Sequence, residues 1–313
     1  MSSQKFDWRS HKVTLIRRIV QISAFIFINY VIIEMIFTIN LISIEGTVKI
    51  LPVLNTPRNP LSKGAGLLEY ILFSITEGEF PFLILSIFIL IVLFSGRFFC
   101  GWVCPIGTIQ DALTAIPTNK KTVQMETHNT LLNVKYMVII LLVMITFPLG
   151  ISKTTDIVFY FNLKENLGIL AQKPMGYFSL SEYIFVFFPN LMTEMWETRG
   201  LAPLFSSLIT FIIFVFYLIV IIVAIWYPRA YCRYLCPYGA LCAAVSDYSF
   251  LKLSRSPVKC VGRTECGICE RVCPKQIRIL DEPFEFFTGK GECNFCLKCK
   301  EACPYNAINI KFG

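Results

Sequence analysis

The phrase 97-RFFCGWVCPIG-107 closes one long apolar run, and 229-RAYCRYLCPYG-239 closes another. Arg97 aligns with Arg229, Cys100 with Cys232, Cys104 with Cys236, Pro105 with Pro237 and Gly107 with Gly239. A phrase written twice, each time after an apolar run, reads as a tandem repeat of two-span units. Two units in the same orientation imply a pseudo-two-fold axis along the membrane normal, which brings both cysteine pairs to one face.

The rest of the chain agrees with a membrane setting. Of 313 residues, 55% are hydrophobic and only 16% charged. Four runs are long and apolar enough to be spans, about Ile19 to Ile42, Phe80 to Gly96, Val134 to Ile151 and Leu204 to Tyr227. The second and third are near the short limit of a crossing, which takes roughly 20 residues. Lys5, Arg9, Lys12, Arg17 and Arg18 precede the first run, which is too long for a signal peptide and lacks a small-residue cleavage site. It reads as an uncleaved anchor.

With four spans, the N-terminus, the loop Arg97 to Lys135 and the tail from Arg229 share a side. Those segments hold 22 of the 29 Lys and Arg residues. Both termini are therefore expected in the cytoplasm, in a multi-pass protein of the cytoplasmic membrane. The net charge of +8 then follows from topology, not from nucleic-acid binding. All 13 cysteines fall on the cytoplasmic side, where a reducing compartment favours metal ligation over structural disulfides.

Residues 1–251 form the expected membrane domain. Residues 252–313, entered through the polar link 252-KLSRSP-257, form a small cysteine-rich domain. Between the second pair of spans, 183-YIFVFFPN-190 is too short to cross and reads as a re-entrant or interfacial segment, with a docking surface as the alternative.

The tail reads Cys260-x5-Cys266-x2-Cys269-x3-Cys273-Pro, then Cys293-x2-Cys296-x2-Cys299-x3-Cys303-Pro. Each iron of a [4Fe–4S] cube takes one thiolate, three from a tight loop and the fourth from the remote Cys-Pro of the other half. Zinc, the competing reading, more often uses paired Cys-x2-Cys knuckles. The region resembles the bacterial-type two-cluster ferredoxin. That resemblance implies one cluster on Cys260, Cys266, Cys269 and Cys303, and a second on Cys293, Cys296, Cys299 and Cys273. The departure is the first spacing, five residues where the common pattern has two.

The phrases are less determined. Residues four apart on a helix share a face, so Cys100 with Cys104, and Cys232 with Cys236, can point two sulfurs one way. The prolines are expected to break each helix at Cys104 and Cys236 and to start a new one at 105-PIGTIQDALTAI-116 and 237-PYGALCAAV-245. Three readings stand: four thiolates holding a third metal centre of iron–sulfur or copper, redox-active dithiols, or small packing residues. Cys242 has no partner at matched spacing and reads as structural.

The whole chain resembles the NapH/NosR/CcoG-type membrane polyferredoxins, on both Cys-x3-Cys-Pro phrases, the spans and the ferredoxin tail. The layout is closest to the minimal NapH-like one, without room for the outer flavin domain of NosR-like members or a long domain after Cys303. The resemblance implies an all-α membrane bundle of four transmembrane helices in a tandem two-span repeat, plus a small α+β two-cluster ferredoxin domain. It implies an electron-transfer subunit, of quinol-dehydrogenase type, relaying electrons between the quinone pool and the clusters or a partner reductase within a membrane complex. The alternative, from CcoG-like members, is copper reduction or assembly through the four phrase cysteines.

Quinol oxidation also releases protons. Glu34, in 29-NYVIIEMIF-37, is the one acid deep in an expected span and with Tyr30 is a candidate proton acceptor or quinone partner. Trp102, Tyr231 and Tyr234, in or beside the phrases, are candidates to shape a quinone pocket, against the reading of an ordinary interfacial belt. Only His11 and His128 are present, and neither supplies a facing pair for a bis-His haem.

Overall fold

The computed structural model describes residues 12–29, 67–172 and 174–313. Its principal elements are α1 (Lys12–Ile28), α2 (Leu67–Thr76), α3 (Phe82–Ser95), α4 (Phe98–Trp102), α5 (Pro105–Leu113), α6 (Met125–Thr155), α7 (Ile157–Leu167), α8 (Phe188–Thr198), α9 (Leu208–Trp226), α10 (Ala230–Tyr234) and α11 (Pro237–Ser246). The tail adds β1 (Leu251–Arg255), α12 (Gly262–Glu265), α13 (Ile268–Arg271), α14 (Lys298–Glu301) and β2 (Ile308–Phe312).

Among the described residues, two helices are long and apolar enough to cross a membrane, α6 and α9. The run expected over 134–151 is extended at both ends. At 31 residues, α6 measures about 46 Å and overshoots a ~30 Å hydrocarbon layer. The run expected over 80–96 is instead the 14-residue α3, about 21 Å long, followed by the separate short α4. The run 19–42 leaves the described residues after Asn29. The segment 183–190 opens with a π-helical turn, Tyr183–Phe187, that runs into α8.

The described residues form two compact units. The first takes Ile89–Thr108 and Cys242–Gly313 with the described part of Met1–Ala24. It therefore extends beyond the cysteine-rich tail. Strand β1 pairs antiparallel with β2, Leu253 facing Ile310. Leu253 also exchanges backbone hydrogen bonds with Phe287. Leu253, Ile279, Phe287, Phe295 and Ile308 make the core, joined by Trp102 from the first phrase and by Val13 and Val20 of α1. The Trp102 indole N–H donates to the Phe295 carbonyl at 2.8 Å, and Gln21 Nε2 to the Gly101 carbonyl at 3.0 Å.

Two glycines set how closely the phrase meets the tail. A Cβ on Gly101 would lie 2.0 Å from the Asn294 carbonyl oxygen. Gly96, at φ +57, would bring one to 2.7 Å from the Phe295 ring.

The second unit takes Ile109–Leu241 with the described part of Phe25–Phe88. Here α2 lies against α6 closely enough that a Cβ on Gly150 would sit 2.2 Å from the Ile75 carbonyl oxygen. Just past α2, Glu77 accepts from Lys153, from Lys164 Nζ at 2.9 Å and from the Tyr160 hydroxyl at 3.0 Å. The Lys153 hydrogen bond, with Lys164 and Tyr160 outweighing burial, lowers the Glu77 carboxyl to about 2.

Gly101→Ala is expected to destabilise the first unit by about 1–3 kcal/mol, as overpacking does. Gly200→Ala, whose added carbon meets nothing closer than 3.7 Å, is the control. Denaturant unfolding of both variants in detergent decides it.

Glu77 has a folded value below its unfolded one of 4.5. Its contribution is present above 4.5 and is lost as pH falls toward 2. Glu77→Gln should melt lower than wild type at neutral pH and show a flatter melting profile across that acid window.

Candidate metal centres

The cysteines that the ferredoxin resemblance assigns to the first cluster lie together. Cys260, Cys266, Cys269 and Cys303 line one small cavity, walled also by Arg255, Leu280 and Ile308. The long Cys260–Cys266 spacing is absorbed by α12, so Cys260 still reaches the cavity. Ala307 N–H donates to Cys303 Sγ at 3.3 Å, and Arg255 Nη1 lies 3.9 Å from Cys260 Sγ. Donors of this kind to sulfur tune a cluster potential.

The second group, Cys293, Cys296, Cys299 and Cys273, is more deeply placed. Burial, followed by Cys296 and Cys273, pushes the Cys293 thiol up; burial, followed by Cys296, Cys293 and Cys273, does the same to Cys299. Thiols packed this way favour ionisation only with compensating positive charge, which iron supplies. Cys299 also feels Cys269 of the first group.

The two halves repeat their backbone. Gly267 (φ 61, ψ 10) and Leu297 (φ 58, ψ 13) each turn left-handed directly after a cysteine and before a short helix. Among the described residues, no three His, Cys, Asp or Glu side chains converge on a single-ion position. In the first group the four thiols surround a void, which suits a cube whose irons each take one thiolate.

Both phrases break where proline demands. Cys104 lies between α4 and α5, and Cys236 between α10 and α11, each new helix opening on the proline. The turns match closely. Val103 (φ −117, ψ −35) and Leu235 (φ −119, ψ −26) precede the second cysteine. The N–H groups of Val103 and Cys104 share the Phe99 carbonyl, as those of Leu235 and Cys236 share the Tyr231 carbonyl. In each phrase the first cysteine is half-buried and the second buried. The two cysteines of a phrase are thus not on one continuous helix.

In the first unit, Arg97 Nη1 donates to Glu292 Oε2 at 2.7 Å, and Lys275 lies 3.8 Å from the same oxygen. Burial opposes the Arg97 charge, but Glu292, Cys100 and Cys242 together raise its pKa and keep it a cation. Cys242, buried, thus sits in the field of the first phrase.

In the second unit, Gln110 and Asp111 of α5 hold the second phrase. Asp111 accepts from Arg229 Nε at 2.8 Å and Nη2 at 2.6 Å, both side chains being buried. Gln110 Nε2 donates to Cys232 Sγ at 3.0 Å, and its Oε1 accepts from the Cys232 backbone N–H at 3.4 Å. Gly239 N–H donates to Cys236 Sγ at 3.3 Å. This places that sulfur at the start of α11, where a helix favours a thiolate. Sequence reading missed Gln110 and Asp111. The available signal was two adjacent polar side chains inside 105-PIGTIQDALTAI-116, and nothing local names their partners.

The aromatic candidates are committed. Trp102 is tied to Phe295. The Tyr231 hydroxyl donates to the Phe178 carbonyl at 3.0 Å and accepts from Leu180 N–H at 3.1 Å. Burial, then Cys236, raises its pKa and keeps it protonated. Tyr234 bonds His128 Nδ1 at 2.8 Å and accepts from Arg233 Nη2 at 2.5 Å. Glu34 and Tyr30 lie outside the described residues.

A 4Fe-4S binding domain family matches the chain twice, over residues 78–123 and 208–256. Each match takes in one phrase and the apolar run before it. YccM of Escherichia coli is 27% identical over 77% of this chain and 59% of its own length. The regulatory protein NosR of Pseudomonas aeruginosa is 25% identical over 68% of this chain and 25% of its own. A ferredoxin of Methanothermococcus thermolithotrophicus is 32% identical over 53 residues, 17% of this chain and 87% of that protein. The chain therefore spans little more than half of YccM and a quarter of NosR. No solved structure matches.

Removing one partner of a buried ion pair leaves the other charge stranded. Asp111→Ala is expected to cost about 3–5 kcal/mol of unfolding free energy in the second unit. Arg229→Lys, which cannot make the two-pronged contact, should also be destabilised. Equilibrium denaturation measures both.

Proposed function

The chain belongs to the NapH/NosR-type membrane ferredoxin proteins, and from that premise we propose that it carries electrons between the membrane quinone pool and iron–sulfur clusters serving a partner reductase. Cys260, Cys266, Cys269 and Cys303 bind one [4Fe–4S] cluster. Cys293, Cys296, Cys299 and Cys273 bind a second. When bound, such clusters supply one-electron transfer.

One observation carries the reading. Gly101 follows Cys100, Asn294 follows Cys293, and the two intervening residues meet in backbone contact. A phrase cysteine and a tail ligand are thus each one residue from a single close contact inside the first unit. Such a contact favours electron passage between a centre at the phrase and the tail.

Cys100, Cys104, Cys232 and Cys236 are proposed to hold a further iron–sulfur centre, which the double match to a 4Fe-4S binding family supports. The four apolar runs and the placing of 22 of the 29 Lys and Arg residues support a four-span protein of the cytoplasmic membrane with both termini in the cytoplasm, and it is proposed to act in a complex. The competing copper-handling reading draws on the same cysteines, since soft thiolates also suit Cu(I).

Anaerobic purification with iron, sulfide, copper and zinc counts tests this. About twelve irons per chain are expected, falling to about eight in Cys100→Ser/Cys232→Ser. Wild type near eight removes the further centre, and copper lost in the same variant favours metal handling. A quinol that never bleaches the cluster absorbance of reconstituted protein removes the quinone link.

A further inference from the structure

The second unit contains a cavity of ≈ 300 Å³ against the second phrase. Its walls include Phe188, Leu218, Val220, Ala224, Tyr231 and Gln110. The volume and the largely apolar lining with a few polar groups are those of a small-ligand site. Phe188 and Leu218 are both 41% exposed, so apolar surface flanks the cavity. At the other extreme, Gln110, Ala224 and Tyr231 are fully buried or nearly so.

The polar side decides what fits. The Tyr231 hydroxyl is already satisfied by Phe178 and Leu180, so its ring offers only a wall. Gln110 is different. A primary amide has two N–H donors. One goes to Cys232 Sγ at 3.0 Å, and among the described residues no other group takes the second. A buried amide with a spare donor beside apolar walls suits a flat lipophilic molecule carrying an acceptor oxygen at its end. No charged side chain lines the cavity, which disfavours an ionic ligand.

We propose that this cavity binds the ring of a lipophilic quinone, with one ring oxygen accepting from Gln110. Gln110 then bonds the ligand and the Cys232 sulfur through the two hydrogens of one nitrogen. The inference rests on the quinone reading given above and names its site.

Binding of decylubiquinone, and of a short-chain naphthoquinone, to the purified full chain in detergent is measured by calorimetry. Leu218→Trp crowds the exposed mouth, and Ala224→Phe fills the buried end. Ile213→Phe, in a neighbouring cavity of ≈ 230 Å³, is the control. Roughly tenfold weaker binding is expected for Leu218→Trp and for Ala224→Phe, and no more than about twofold for the control. Gln110→Leu should weaken binding similarly, with the iron count of the purified protein reporting whether Cys232 is still held.

No binding by wild type overturns the proposal. So does full affinity in folded Leu218→Trp, or an equal loss in Ile213→Phe. Quinol reduction of the clusters separates the two levels. If wild type is reduced by quinol while Leu218→Trp keeps full affinity, electron exchange stands and this site falls. If affinities change as expected but quinol reduces nothing, the site stands and electron exchange falls.

Discussion

The close backbone approach of Gly101 to Asn294 is the constraint on which the first unit depends. It admits no side chain, since a Cβ would lie 2.0 Å from a carbonyl oxygen. With that distance set, Trp102 reaches the Phe295 carbonyl and enters the tail core, and Gln21 of α1 reaches the Gly101 carbonyl. The buried Arg97–Glu292 pair closes the same seam. A buried pair is weak evidence for stability in itself, because desolvation offsets the attraction. Its geometric effect is stronger: Arg97 has a fixed acceptor, and Glu292 immediately precedes Cys293.

The two phrases share a local fold but not their surroundings. Their turns agree in the dihedrals of Val103 and Leu235 and in the shared carbonyls of Phe99 and Tyr231. That agreement follows from the proline, which ends one helix and starts the next. The differences lie in what the turn meets. Gly101 occupies the place of Arg233, because the first phrase meets a backbone there while Arg233 stacks on Tyr234 at 4.7 Å. Gln110 occupies the place of Cys242, each ten residues after the first cysteine of its phrase, 100 to 110 and 232 to 242. Gln110 holds Cys232, and Cys242 sits near Arg97. A repeat was kept as a turn and then fitted to different neighbours.

Charge is distributed with the sulfur. Arg97, Arg229 and Arg233 are buried at the phrases, where ordinary surface cations would be solvated. Arg97 and Arg229 have carboxylate partners, Glu292 and Asp111. Arg97 keeps its positive charge beside Cys100 and Cys242, thiols that a metal would draw into the anionic form. The tail adds backbone donation, from Ala307 to Cys303.

The resemblance to two-cluster ferredoxins, read from the cysteine pattern, implied how the tail groups assort, and Cys260, Cys266, Cys269 and Cys303 line one cavity even with α12 inserted after Cys260. Proline position likewise determined the breaks at Cys104 and Cys236, a local steric effect that needs no distant partner. Apolar runs marked α6 and α9 but not the ends of α6, which begins at Met125, ahead of its apolar run, with the polar His128 buried in the added turns. Only the tertiary structure decided that Asp111 serves Arg229, that Gln110 serves Cys232 and that Glu292 serves Arg97. Those partners lie 118, 122 and 195 residues apart in sequence, and no periodicity or spacing encodes a hydrogen bond across such a distance.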